Sequence, residues 1–434
     1  MSADAAAGQS LTLDPDRRPG GRAWTVFTIS VLVYVIAVAG RTSFSVAVPL
    51  AGDRFGGGSA VLALFVVLQL GVYALAQVPV GLLLDRFGSR RVLACGALVV
   101  AAGQAGLALA HSLPTAIVAR VLVGVGDATA FIGAIRLIPA WFALGRVPII
   151  TQLVSILGQL GQIVSAFPFL SLLHRGGWST AFNVMGGVGV GAAVLGLALI
   201  RDSAAPDGGG HRRRPVGGGR ESVWTTMTAV ARQPGTWLGF FSHWIGMFPM
   251  AVFTLMWGLS WMTEGMGLAT STASWAITVS TGAGVLGGLL AGTLSVRLPG
   301  HRSTIVLTTG LVSLAAWTVA LLSPSHLLSA MVVACVCGVT GPFSGIGFDS
   351  ARSFNEPGRW GTCTGMVNVG GFTATILAVE LVGLVLDATG GRTDADFRVA
   401  FAATALVWVI GMGGVAVSRA LTRRRMRDGA VASF

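Results

Sequence analysis

The sequence has no lysine, few charged residues of either sign and only four cysteines. Arginine and acidic residues make up 11% of the 434 residues, against about 25% in an ordinary soluble domain. A water-soluble domain of ordinary composition is therefore excluded, and the absence of lysine excludes Schiff-base chemistry. The cysteines stand in or beside apolar runs, without the spacing of a metal site or a disulfide framework.

Motifs that are typical of enzymes are missing as well. The sequence contains no G-x-S-x-G, no H-E-x-x-H and no glycine-rich phosphate loop that ends in Lys-Ser or Lys-Thr. We therefore expect a protein that is not an enzyme, holds no cofactor or metal and does not hydrolyse ATP. An ion gradient is then the expected source of energy for any transport.

The apolar residues are gathered into long runs. Hydrophobic residues make up 53% of the chain, and the mean hydropathy is +0.76. The runs reach the roughly 20 residues that a helix needs to cross a bilayer. The pattern predicts an all-α membrane protein with twelve transmembrane helices, at segments 24–49, 59–82, 92–110, 115–138, 147–172, 181–200, 236–261, 270–295, 303–322, 326–348, 361–385 and 398–418.

The arginines are unevenly distributed between the segments. With both termini in the cytoplasm, 22 of the 29 arginines fall on the cytoplasmic side, four fall outside and three lie within segments. Because short cytoplasmic loops are enriched in basic residues, this imbalance predicts a plasma-membrane protein with cytoplasmic N- and C-termini. It also accounts for the formal net charge of +12 without a nucleic-acid partner.

A long polar interruption divides the segments into six and six. Its GGGHRRRPVGGGR run is typical of a flexible linker. In addition, the sequence that begins at Gly81 is weakly repeated 211 residues later, beginning at Gly292. Together these features predict two pseudo-symmetric six-helix bundles. The expected organisation is an N-terminal tail 1–23, a bundle 24–200, a basic cytoplasmic linker 201–233, a second bundle 234–418 and a C-terminal tail 419–434.

A glycine- and charge-rich motif lies between segments 2 and 3. It reads G-x-x-x-D-R-x-G-x-R-R from Gly81 to Arg91 and resembles the loop signature of the major facilitator superfamily. Gly81 lets two helices approach closely, while Asp85 and the arginines can bond across a seam that opens and re-forms. The resemblance implies the fold of that superfamily, with a conformational latch at Gly81, Asp85, Arg86, Gly88, Arg90 and Arg91.

Segment 4 carries two charges, seven residues apart and therefore on one helix face. A charge at the bilayer centre costs at least about 2.5 to 3.5 kcal/mol, so Arg120 and Asp127 should face a partner or an aqueous cavity. A carboxylate in such a place can exchange protons near neutral pH, which makes Asp127 and Arg120 candidates for proton coupling. A structural ion pair with a neighbouring helix is the alternative.

Segment 1 holds Arg41 well inside the membrane. Its planar, permanently charged guanidinium suits a carboxylate or phosphate, and Tyr34 lies seven positions earlier on the same face. The run from Gly40 to Pro49 is similar to the D-R-x-x-x-S-x-A-x-P run of the anion:cation symporters, and segment 4 is similar to their R-x-x-x-G-x-x-E. That resemblance implies that Arg41 holds an anionic substrate and that Asp127 couples protons. Gly40 replaces the acid of that subfamily, which leaves symport with another stoichiometry, or exchange, open.

Further candidates lie outside these segments. Gln159 belongs to a stripe with Gln152 and Gln162 on segment 5 and is a candidate substrate ligand, while Glu380 on segment 11 is a candidate coupling group. His243 on segment 7 is the weaker candidate of this kind. In the second half, where Val296 replaces the latch acid, the loop after segment 10 should supply a latch from Asp349, Arg352 and Arg359.

The leading hypothesis is a monomeric secondary transporter that takes up a small organic anion together with protons. An efflux antiporter for drugs is the main alternative, although segment 5 lacks the Gly-Pro pair of that group. Nitrate or nitrite transport ranks lower because segments 2 and 8 contain no basic residue. A membrane-embedded enzyme or receptor would need features that the sequence does not display.

Overall fold

The chain folds into helices only, in the part that a computed structural model describes, residues 19–55, 59–203 and 222–428. The helices follow the predicted segments in order. The first four are α1 Gly21–Phe55, α2 Ser59–Phe87, α3 Ser89–Leu109 and α4 Leu113–Trp141; α5 runs from Val147–Gly158 through Leu160–Val164 and Ser165–Phe169 into the first part of Leu170–Leu199, and α6 is the part of Leu170–Leu199 that follows Gly177. In the second half, α7 runs from Pro234–Ala251 through Val252–Trp257 and Gly258–Ser260 to Trp261–Gly265, and it is followed by α8 Thr270–Arg297 and α9 Arg302–Leu322. The last three are α10, from His326–Thr340 through Gly341–Gly345 to Ile346–Ser353, α11 Trp360–Thr389, and α12, from Asp394–Ala403 to Ala405–Arg427.

The predicted all-α membrane architecture is confirmed. Ten stretches among the described residues are long and apolar enough to cross a membrane. One of them, Leu144–Leu199, has 56 residues and contains both α5 and α6, which separate at Gly177. Gly177 has a φ of 76°, a backbone conformation that interrupts an α-helix and favours glycine. With α2 added, twelve crossings are available.

Two helices contain π-helical turns that the sequence pattern did not predict. The turn in α5, Ser165–Phe169, contains Pro168, and the first turn of this kind in α7, Val252–Trp257, follows Pro249. Proline has no N–H to donate and crowds the preceding turn of the helix. The hydrogen-bond ladder shifts locally to a wider spacing at such places.

The structure differs from the prediction at the edges of the linker and of the C-terminal tail. Val223–Ala231, within the predicted flexible linker, forms a short helix that buries Thr226 and Val230. The last helix continues to Arg427, so the first part of the predicted tail is helical. In the part of the last helix that lies within the predicted tail, Thr422 is the buried residue. Residues 1–18, 56–58, 204–221 and 429–434 lie outside the described part.

The two halves meet at glycines related by the sequence repeat. A Cβ atom on Gly81 of α2 would lie 2.5 Å from the carbonyl oxygen of Gly361 on α11, and one on Gly292 of α8 would lie 2.8 Å from the Cα of Ile149 on α5. Both contacts lie where α2 and α8 end and where α5 and α11 begin. We call this the linker side, since α6 ends and α7 begins there, and the opposite one the far side.

Candidate functional site

Arg41 of α1 and Asp127 of α4 form an ion pair inside the helical assembly. The Arg41 Nη1 atom lies 3.4 Å from the Asp127 Oδ2 atom; the Asp127 side chain is fully enclosed, and the Arg41 side chain is 21% exposed. No hydrogen bond reaches the Asp127 carboxylate from any residue that the structure describes. A proton could therefore bind this carboxylate without displacing a hydrogen-bond donor.

A second guanidinium, that of Arg120, lies against the backbone of Arg41. Arg120 lies on the same face of α4 as Asp127 and is fully buried. Its Nη2 atom donates to the carbonyl oxygen of Arg41 at 3.2 Å and to the Oε1 atom of Gln69, and its guanidinium carbon lies 4.9 Å from the Phe44 ring centroid. Among the described residues only Arg41 forms an ion pair with Asp127, and the nearby charge of Arg120 leaves the ionised cluster with one positive charge in excess.

Both tyrosines of the chain lie at this cluster. The guanidinium carbon of Arg41 is 5.5 Å from the ring centroid of Tyr73, and Tyr34 lies next to Arg41 and packs on Phe131 with ring centroids 5.4 Å apart. The Asn368 Nδ2 atom of α11 approaches the Tyr73 hydroxyl at 3.4 Å. The cluster therefore extends from the first half of the chain to the second.

Sequence reasoning missed three of these residues. Tyr73 and Gln69 are four residues apart on α2 and approach Arg41 and Arg120 respectively, while Asn368 lies across the seam. A signal for Tyr73 was present, because only two tyrosines occur in the chain. Polar side chains four residues apart in an otherwise apolar segment share a helix face and could have been read as a stripe.

Gly40 stands where the similar symporters have an acid, and a side chain of α3 occupies the space beside it. The Nε2 atom of Gln104, which is fully buried, donates to the Gly40 carbonyl oxygen at 2.9 Å. A Cβ atom on Gly40 would lie 2.8 Å from that same nitrogen. The space beside Arg41 where the resemblance places an acid therefore contains a neutral amide.

The structure does not bring Gln159 or Glu380 into this cluster, and His243 reaches it only through Asn368. Gln159 is exposed and accepts a hydrogen bond from Gln162, although its neighbour Gly158 packs on the ring of Tyr34. Glu380 is exposed, and no ion pair within the described residues involves it. The Nδ1 atom of His243 lies 3.1 Å from the carbonyl oxygen of Ser344 on α10, within the second half, and its ring lies beside Asn368.

The predicted latch acid binds the beginning of α11. Asp85 accepts hydrogen bonds from the backbone nitrogens of Gly361 at 2.8 Å and Thr362 at 2.7 Å, and from the Thr362 hydroxyl at 2.7 Å. It also pairs with Arg136 of α4 at 3.4 Å. A carboxylate at a helix N-terminus satisfies free N–H groups and is favoured by the helix dipole. Close contact of Gly81 with Gly361 brings the two elements within reach.

The other members of the motif have different roles. Gly88 has a φ of 80°, which favours glycine, and it turns the chain from α2 into α3. The Arg90 Nε atom donates to the carbonyl oxygen of Leu197 at 2.8 Å, within the first half. Arg86 is exposed and lies over the ring of its neighbour, while Arg91 is exposed without a hydrogen bond to any residue described.

Two of the residues predicted to form a latch in the second half lie in a helix and not in the expected loop. Asp349 and Arg352 lie in the last helical part of α10 and pair at 2.8 Å, and the Ser295 hydroxyl donates to Asp349 at 2.7 Å. The Arg352 Nη1 atom reaches the Ile135 carbonyl oxygen of the first half at 3.5 Å. Arg359 instead lies 3.8 Å from an acid three residues earlier.

Comparisons with known proteins identify a matching family and several similar transporters. Residues 30–354 match the model of the Major Facilitator Superfamily. The probable sulfoacetate transporter SauU of Cupriavidus necator is 25% identical over 408 residues, 90% of this chain and 92% of that protein. The probable galactarate/D-glucarate transporter GudP of Bacillus subtilis is 24% identical over 405 residues, 86% and 87% of the two chains.

A solved structure shares the fold. The transporter FucP in its outward conformation superimposes with a TM-score of 0.67 at 13% sequence identity, over 90% of this chain and 98% of that one. At that identity the likeness concerns the arrangement of the helices alone. Neither the matching family nor the fold is that of an enzyme.

Proposed function

The chain belongs to the major facilitator superfamily of membrane transporters, and on that premise we propose that it takes up a small organic anion together with a proton. One observation carries the proposal: a partly open guanidinium, Arg41, is paired with a fully enclosed carboxylate, Asp127, in the interior of the protein. Lipid would not tolerate either group unpaired. Relatives named as transporters of sulfoacetate and of glucarate support an anion as the substrate.

Charge balance gives the proposal its mechanism. With Asp127 ionised, the cluster of Arg41, Arg120 and Asp127 carries one excess positive charge, and with Asp127 protonated it carries two. Buried charges of one sign need counter-ions. Protonation would release Arg41 from the ion pair and leave two guanidiniums for a substrate with two anionic groups. Departure of the substrate and of the proton would restore the ion pair.

The direction of access follows from where the halves touch. We infer that this conformation is closed on the linker side by the Gly81–Gly361 contact and the Asp85 latch, and that substrate enters from the far side. We assign the linker side to the cytoplasm, in the plasma membrane, because arginines are concentrated there. Rocking of the halves 24–200 and 234–418 about the central cluster would expose it alternately to each side. A monomer suffices, since one chain supplies all of these groups.

Proteoliposomes with an imposed pH gradient test the coupling. Sulfoacetate and D-glucarate serve as probes, because relatives are named for them. We expect Asp127→Asn to abolish proton-driven accumulation and to retain exchange of internal for external substrate, since the arginines remain. Arg41→Ala should lose both activities. Glu380→Gln removes the other predicted coupling carboxylate and serves as the matched control, for which we expect accumulation to persist.

Other outcomes would contradict parts of this assignment. Full accumulation by Asp127→Asn would refute Asp127 as the coupling group, and loss in Glu380→Gln alone would move coupling to α11. The efflux alternative predicts transport of amphipathic cations out of vesicles and no effect of Arg41→Ala on organic anions. A protein that moves neither class of compound would refute both hypotheses.

A further inference from the structure

A groove with a volume of about 660 Å³ opens on the linker side of the second half, away from the central cluster. Three elements form it: the short helix Val223–Ala231, the beginning of α7 and the last turns of α12. Most of its wall is apolar, with Trp237, Phe241 and Val417 among the lining residues. It faces outward from the helical assembly, where a membrane protein meets lipid.

The end of the groove nearest the linker is basic. Arg232, Arg424 and Arg425 line it, and no acidic residue is among the residues that do. Arg425 donates to Gln233 at 3.1 Å, whereas the guanidiniums of Arg232 and Arg424 are exposed and have no hydrogen bond or ion pair with the residues that the structure describes. Such forked donors bind phosphate oxygens in pairs.

The apolar part has the length of one bilayer leaflet. From Ile410 to Leu421 the α12 helix rises by about 16 Å, roughly half of the ~30 Å hydrocarbon core. Gly413 leaves an open trough along this wall, since a Cβ atom on it would meet no other atom within 4 Å, and the ring of Phe241, which packs on the neighbouring Gly414, forms one side of that trough.

We propose that this groove binds one anionic phospholipid such as phosphatidylglycerol. Its phosphate lies among Arg232, Arg424 and Arg425, and an acyl chain lies in the trough along α12. Basic pockets between transmembrane helices near the cytoplasmic surface attract anionic headgroups in this way. The alternative occupant, the chain's own linker segment 204–221, is disfavoured because its Arg-Arg-Arg run has the same charge as the groove.

Native mass spectrometry of the purified full-length protein in a nonionic detergent tests the charge requirement. Phosphatidylglycerol and phosphatidylcholine with identical acyl chains are titrated in parallel. We expect one phosphatidylglycerol to bind in preference to phosphatidylcholine. The double variant Arg424→Ala/Arg425→Ala should bind it roughly thirtyfold more weakly, because each arginine near a lipid surface contributes about 1 kcal/mol. Arg423→Ala, an exposed neighbour that does not line the groove, should bind as the wild type does.

A second pair of variants tests the location without changing charge. Gly413→Leu fills the trough and should remove the preferential lipid, whereas Gly187→Leu on α6, where a Cβ also meets no atom within 4 Å, should leave it in place. Equal thermal unfolding midpoints would show that both variants are folded. The proposal would be overturned if the wild type showed no preference for phosphatidylglycerol, which is the result expected if the linker occupies the groove. It would also be overturned if Arg423→Ala or Gly187→Leu lost as much lipid binding as the variants of the groove.

Discussion

Replacing Asp85 with Asn should weaken the contact that closes the linker side. The carboxylate accepts three hydrogen bonds from the first turn of α11, at 2.7 to 2.8 Å, and lies 3.4 Å from Arg136. Hydrogen bonds to a charged group contribute about 1.5 to 3 kcal/mol each, against about 1 kcal/mol for neutral pairs. The amide also turns an NH₂ group toward backbone donors. We expect the closed state to lose about 2 kcal/mol or more, a roughly thirtyfold change in the closed-to-open ratio.

A native cysteine reports on this equilibrium. Cys363 follows the latch residues of α11 directly and is fully buried in a core cluster shared by the two halves. Opening of the linker side would expose it. With the two exposed cysteines, Cys95 and Cys335, replaced by serine, its rate of alkylation in the Asp85→Asn variant should rise roughly thirtyfold while the closed state still predominates.

Two controls make the experiment decisive. Cys337 is buried within the second half, so its alkylation reports unfolding and not opening. Arg91→Ala changes the same motif at a residue that makes no hydrogen bond among those described and should leave the rate for Cys363 unchanged. Equal rates for Cys363 in Asp85→Asn and the wild type, or an equal increase in Arg91→Ala, would refute the assignment of Asp85 as the latch.

Two further predictions concern glycines. Gly81→Ala places a Cβ 2.5 Å from the Gly361 carbonyl oxygen, so it should hinder closure of the linker side, lower the transport rate and expose Cys363 to alkylation. Gly71→Ala on the same helix, where a Cβ meets no atom within 4 Å, should have none of these three effects. Gly40→Asp introduces the acid that the anion:cation symporters have in the similar run but collides with Gln104, so it should lower the thermal unfolding midpoint, and the added substitution Gln104→Ala should recover it. If Gly40→Asp alone is as stable as the wild type, Gln104 does not occupy the space of the missing acid.

The repeat in the sequence had a structural counterpart that hydropathy could not reveal. Gly81 and Gly292 both lie at contacts between the halves, one against α11 and the other against α5. The motif predicted a close helix approach at Gly81, but a glycine in an apolar helix is compatible with a lipid-facing or a buried position, so only the packing identified the partner of Gly81 and the contact at Gly292. The predicted latch residues of the second half illustrate the same limit, because Asp349 and Arg352 belong to a helix that the hydropathy profile ended too early.

The sequence by itself determined the membrane architecture and the candidate charges. Hydropathy is a local property, and the cost of an unpaired charge in lipid does not depend on which partner relieves it, so Arg41, Arg120 and Asp127 could be recognised singly. Only the tertiary structure decided the pairings, because they join residues far apart in the chain, as Asp85 with Gly361 and Arg41 with Asp127. The same holds for Gln104 in the place of an acid and for the absence of Glu380 from the cluster. Which side chain fills a given space depends on how all the helices pack, and no segment contains that information alone.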